Sequence, residues 1–231
     1  MGQAGDDVEL VVLDDADAAA RRAGELLAEA AREGGHIALS GGKSPELAHE
    51  TSAGLQPDWS RVELWWGDER CVPPDDARSN YGMAKRTLLE RVAVQPRAVH
   101  RMRGEVDAVD AATEYDAALA GVRLRINVLG IGPDGHTASL FPRSPALHER
   151  ERRAVAAEPG LDPNVMRVTM TPPMLANADC VLFLVAGDSK ADAVRRAFAE
   201  PPDDATPASR IRARDGRTLV VLDRAAAALL R

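Results

Sequence analysis

A chain of 231 residues, 45% hydrophobic and 28% charged, is long enough to bury one large core and too balanced in composition for intrinsic disorder. The net charge of −7 argues against a general affinity for nucleic acid or anionic membrane, both of which need clustered positive charge, so an anionic substrate requires a local basic pocket. Aromatic residues are 3% of the chain, which leaves the core to Ala, Val and Leu, and the two cysteines, Cys71 and Cys180, form no C-x-x-C pair of the kind that builds zinc knuckles.

Met1 to Asp7 lacks a basic segment followed by an apolar one, and no apolar run approaches the ~20 residues of a membrane span. A cytoplasmic protein with reduced thiols is expected. Val8 to Leu13 reads as a strand, and Asp17 to Glu33, with Ala, Leu and Arg at helical spacing, as a helix stopped by Gly34-Gly35. The strand His36 to Leu39 then leads into Ser40-Gly41-Gly42-Lys43-Ser44-Pro45, with a helical stretch from near Glu46. A strand, a glycine pair and a helix start gather free N–H groups and the positive end of a helix dipole around one point, which suits a phosphate. Lys43 adds charge, and Ser40 and Ser44 add hydroxyl donors. A plain βα turn uses glycines in the same way, and neither G-x-x-x-x-G-K-[ST] nor G-x-G-x-x-G is present, so a nucleotide is not implied.

The strand Val62 to Trp66 runs into Gly67-Asp68-Glu69-Arg70, then Val72-Pro73-Pro74 and Ser79-Asn80-Tyr81. At a strand's carboxyl end Asp68 and Arg70 can face a substrate, with Arg70 a fixed donor to a carbonyl or hydroxyl oxygen. Ser79 to Val92 and Asp107 to Gly121 read as helices. After the strand Arg125 to Gly130, the loop Ile131-Gly132-Pro133-Asp134-Gly135-His136 puts a histidine six residues beyond a buried strand, where ligands meet open parallel sheets. A neutral imidazole takes a proton from water near pH 7 and returns it later, and Asp134 is placed to fix its tautomer. Arg167 opens the strand Arg167 to Met170, and Lys190 follows the strand Asp179 to Ala186, early in a helix from Ser189 to Ala199. Each is a candidate to complete a phosphate pocket. Glu200 to Pro207 reads as a surface loop, Thr218 to Leu222 as the last strand, and Ala225 to Arg231 as a closing helix. Strands alternating with amphipathic stretches predict one α/β domain, residues 1–231, on a mostly parallel sheet.

Together the stretches SGGKSP (Ser40 to Pro45), WWGDERCVPPDDARSNYGMA (Trp65 to Ala84), NVLGIGPDGHTASLFP (Asn127 to Pro142), RVTMTPPMLANA (Arg167 to Ala178) and GDSKADAV (Gly187 to Val194) resemble the 6-phosphogluconolactonase family, in its order and over nearly the whole chain. The resemblance implies a three-layer α/β/α fold, an open, modified Rossmann-like sheet related to glucosamine-6-phosphate deaminase. It also implies hydrolysis of 6-phospho-D-glucono-1,5-lactone to 6-phosphogluconate in the oxidative pentose phosphate pathway, with no metal and no organic cofactor. His136, Asp134, Arg70 and Asp68 then form the catalytic set, with Gly41, Gly42, Lys43, Ser44, Asn80, Arg167 and Lys190 binding substrate. Lys43 sits where the family's loop often has a smaller polar residue, and Asp68 aligns with a proton-transfer acid of the deaminases. Two alternatives are weighed: deaminase or isomerase chemistry, whose enzymes carry a Glu shortly after the His where this chain has Ser139-Leu140-Phe141-Pro142, and a non-catalytic sugar-phosphate-binding regulator. No helix-turn-helix or basic arm supports the second. The expected partner is the small lactone alone, bound by a monomer or small homo-oligomer.

Overall fold

The structure, a computed structural model, describes residues 8–230. Residues 1–7, where no leader pattern is read, and Arg231, the end of the expected closing helix, lie outside the described residues. In chain order come β1 (Val8–Leu13), α1 (Ala16–Glu33), β2 (Gly35–Leu39), α2 (Lys43–Gly54), β3 (Val62–Trp66), β4 (Asp68–Arg70) and α3 (Asn80–Ala84). There follow β5 (Ala98–Val99), α4 (Ala108–Ala118), β6 (Leu124–Leu129), β7 (Ala154–Ala157), β8 (Arg167–Met170), α5 (Pro172–Leu175), β9 (Ala178–Val185), α6 (Ala191–Phe198) and β10 (Arg217–Asp223). Asp15 opens α1 by accepting the Ala18 N–H at 2.7 Å, and Gly34, at φ +80°, closes it. Small residues bring α1 hard against α2, since a Cβ on Gly24 would lie 2.6 Å from the Ala48 carbonyl oxygen.

Seven strands form one sheet in the order β1-β10-β9-β6-β2-β3-β5, and every pairing in it is parallel. Successive residues enter opposite cores, as a strand's period of two requires. Ile37, Leu39, Leu64 and Trp66 lie with α1 and α2 on one face, while Ala38, Trp65, Leu129 and Phe183 lie with α4 and α6 on the other. The result is a three-layer α/β/α fold. The chain winds outward from β2 to β3 and β5, then returns to β6 and proceeds through β9 and β10 in the opposite direction. The winding reverses between β2 and β6. At such a point the loops leaving adjacent strands diverge, and a crevice opens beyond the carboxyl ends.

A second, three-stranded antiparallel sheet, β4-β8-β7, overhangs that edge. Gly67 joins it to β3: its N–H bonds Leu39 O at 3.0 Å, and its carbonyl accepts from Met170 N at 2.8 Å. The pairing sets Asp68 opposite Thr169 and Arg70 opposite Arg167.

Three local expectations are corrected. The helix after the glycine pair begins at Lys43 rather than near Glu46, because Pro45 sits in the first turn, where its missing N–H has no helical partner to lose. The stretch expected as one helix from Ser79 is α3 followed by a π-helical turn, Lys85–Leu89, in which Glu90 N bonds Lys85 O at 2.9 Å and Thr87 Oγ1 bonds back to Met83 O at 3.0 Å. The closing segment forms turns, not a helix. Its Ala226 N–H goes to the Asp223 carboxylate at 2.7 Å, and so short a run does not sustain helical cooperativity.

Candidate active site

The crevice at the reversal is a cavity of about 790 Å³. Its floor comes from the loops after β2 and β6, one wall from β4 and β8, and another from the loop after β9. Ser40, Gly41, Gly42, Lys43, Ser44, Asp68, Arg70, Asn80, His136, Arg167 and Lys190 all line it. Every residue singled out from the sequence as catalytic or binding thus opens into one space except Asp134, which stands behind His136.

Along the β2 loop, Gly42 holds φ +111° and α2 starts with no side-chain cap, so the first-turn N–H groups are left for a ligand. Gly41 is glycine for a different reason. A Cβ there would lie 1.8 Å from Asn80 Oδ1. Asn80 opens α3 and donates through Nδ2 to the Asp68 carbonyl at 2.9 Å and to its carboxylate at 3.2 Å.

The β6 loop folds tightly around His136: Gly132 N bonds His136 O at 2.8 Å, and Gly135, at φ +93°, bonds Gly132 O at 2.9 Å. A Cβ on Gly132 would lie 2.0 Å from His136 Nδ1, so the ring rests directly on that glycine. Asp134 Oδ1 accepts the His136 backbone N–H at 3.1 Å and faces Nδ1 at 2.6 Å. Burial raises the Asp134 carboxyl, but its hydrogen bond to the imidazole and the charge there outweigh this and hold it below its ordinary value. With Nδ1 bonded to a carboxylate, Nε2 is the basic nitrogen, and it has no protein partner among the described residues. Phe141 backs the ring at 4.7 Å.

Asp68 is buried, and beyond Asn80 it accepts from Ser139 Oγ at 2.6 Å. Arg167 is buried as well; Nε donates to Val165 O at 3.2 Å, and Nη2 to Leu161 O at 3.1 Å and Pro163 O at 3.0 Å. Burial lowers its guanidinium below the ordinary value, against the pull of Asp68, while three carbonyls leave Nη1 for the cavity. Arg70 donates through Nη1 to Arg78 O at 2.6 Å and keeps a buried Nε unpaired. Lys190, half-buried, is lowered by desolvation and opposed by Asp134. In a chain of net charge −7, four cations, Lys43, Arg70, Arg167 and Lys190, therefore face one crevice; Asp17, Glu46, Glu50 and Asp68 also line it, and of these acids only Asp68 is buried.

Sequence reasoning did not single out Ser139, Phe141, Gly132 or Glu69. All four sit in quoted motifs, but their roles arise from contacts as far as 71 residues apart in sequence or from ring packing that spacing does not encode.

The sequence profile described as glucosamine-6-phosphate isomerases/6-phosphogluconolactonase matches residues 13–220. A 6-phosphogluconolactonase of Haemophilus influenzae is 34% identical over 204 residues, covering 84% of this chain and 87% of that one. The solved structure of 6-phosphogluconolactonase from Trypanosoma brucei superposes with a TM-score of 0.86 at 25% identity, covering 98% of this chain and 100% of the other. A monomeric glucosamine-6-phosphate deaminase shares the fold, with a TM-score of 0.83 at 20% identity over 96% of this chain and 99% of its own.

Proposed function

The chain belongs to the glucosamine-6-phosphate isomerase/6-phosphogluconolactonase family, and on that premise we propose that it hydrolyses 6-phospho-D-glucono-1,5-lactone to 6-phosphogluconate. The observation that carries the reading is that the His136 imidazole and the Gly41-Gly42 loop open into the same cavity. One end of a substrate can be held as a dianion while the other meets a base.

The phosphate lies on the first-turn N–H groups of α2 with Lys43, Ser44, Arg167 and Lys190 around it, and this remote binding orients the lactone carbonyl. His136 Nε2 takes a proton from water as its oxygen attacks that carbonyl. Asp134 keeps the other ring proton on Nδ1 and stabilises the imidazolium that forms. Arg70 and loop N–H groups meet the developing oxyanion. When the intermediate collapses, the C1–ring oxygen bond breaks and His136 returns its proton to the departing oxygen, leaving the open-chain acid. Asp68, held by Ser139 and Asn80, balances Arg167 and Arg70 beside the sugar. The reading sets the enzyme in the cytoplasm, in the oxidative branch of pentose phosphate metabolism; two free thiols, Cys71 and Cys180, accord with a reducing compartment.

Proton release from freshly made lactone, followed above its spontaneous hydrolysis, tests the proposal. Acceleration is expected, with no ammonia from glucosamine 6-phosphate. Ammonia release without lactone turnover would replace it with deaminase chemistry.

A further inference from the structure

Glu69 is the one acid of β4 that the mechanism leaves unused. Alternation along the strand turns Asp68 and Arg70 to the cavity and Glu69 away from it, into a site where the residue is 3% exposed. Four donors meet it there: Asn80 N at 2.7 Å, Tyr81 N at 2.8 Å, Arg70 N at 2.7 Å and Ser79 Oγ at 3.0 Å. Asn80 and Tyr81 are the first two residues of α3, so Glu69 satisfies the open N–H groups of a helix from a different strand. Ser79 Oγ in turn accepts from Gly82 N at 2.9 Å, and the first turn is fully matched.

What that turn carries is Asn80. Its amide reaches Asp68 on one side, and its Oδ1 fills the space a side chain on Gly41 would take on the other. A single residue therefore spans the phosphate loop and the acid beside the reacting end. We propose that Glu69 is the positioning residue of this site: by gripping the first turn of α3 it sets Asn80, and Asn80 sets the distance between the Gly41 loop and Asp68. The inference rests on the reading that one substrate uses both ends. All four partners are donors, so a carboxylate fits and an amide does not; Glu69→Gln turns an NH₂ group against N–H groups.

The test is a double-mutant cycle on the whole chain with Glu69→Gln, Asn80→Ala and the pair, reading the calorimetric Kd for 6-phosphogluconate and the KM and kcat for the lactone. Each single variant is expected to weaken binding about tenfold, the scale of one lost charge-assisted contact. The pair should be no worse than Asn80→Ala alone, because both changes break the same link. Penalties that multiply, or a Glu69→Gln protein with wild-type Kd and KM and only a lower melting temperature, would overturn the proposal. Should Glu69→Gln not fold, Glu69→Asp, which keeps the charge but draws it back by one methylene, is read in the same cycle. Wild-type protein that binds 6-phosphogluconate but hydrolyses no lactone removes the functional reading and leaves the cycle readable through Kd. Wild-type protein that does neither removes both.

Discussion

Asp134 Oδ1 sits 2.6 Å from His136 Nδ1 and 3.1 Å from the backbone N–H of the same residue, so one carboxylate oxygen fixes both the ring and the peptide that bears it. Gly135, at φ +93°, permits the turn between them. The imidazole is thereby oriented before any substrate arrives, with Nδ1 engaged and Nε2 left without a protein partner among the described residues.

Asp134→Asn is the sharpest probe of that arrangement. An amide can offer its NH₂ to Nδ1 and move the ring proton to Nε2, the wrong tautomer for a base. Turnover should fall about 10²- to 10⁴-fold, while calorimetric binding of 6-phosphogluconate stays near wild type. Equal turnover would show that the carboxylate does not orient the base.

On the proposed mechanism, two glycines should separate binding from chemistry. Gly132→Ala places a methyl 2.0 Å from His136 Nδ1, and Gly41→Ala places one 1.8 Å from Asn80 Oδ1. The first should lower kcat with little change in KM, and the second should raise KM through the phosphate loop, each by about tenfold or more. Steady-state kinetics on the two variants read the split, and identical KM and kcat effects in both would contradict it.

Arg167→Lys removes a fork that three carbonyls hold. An ammonium cannot bond the oxygens of Leu161, Pro163 and Val165 and still reach a phosphate, so KM should rise about tenfold with kcat within a few-fold. An unchanged KM would take Arg167 out of the phosphate pocket.

His49, on α2 and fully buried, is lowered by desolvation from 6.5 to about 4. The unfolded chain binds this proton first on acidification, so the stability that neutral His49 contributes is complete above about pH 6.5 and is lost as the pH falls toward 4. Between pH 7.5 and 5 the loss is about 2 kcal/mol. Urea unfolding of wild type and His49→Gln at both pH values measures it; the variant should lose less stability by that amount, and parallel losses would exclude the residue.

Much of the architecture was legible because apolar runs and glycine pairs mark β2, β6 and their loops, and parallel strands send all such loops to one edge. Placing Gly41 beside His136 needed only that rule. The overhanging sheet was not legible. Asp68–Arg70 is a strand of three charged residues, and Ala154–Ala157 is a run that suits helix as well as strand, so pairing decides both, not propensity. Glu69 reads in sequence as part of a solvated charge run, and its burial follows from donors 10 to 12 residues further on. Arg167 was visible as a basic strand residue, whereas the carbonyls that aim it come from a segment without regular structure.

The most direct test compares proton release from the lactone by wild type and His136→Ala, alongside calorimetric binding of 6-phosphogluconate to both. The account expects the variant to bind like wild type and to turn over at least ~10²-fold more slowly. A variant that hydrolyses the lactone at the wild-type rate would contradict it.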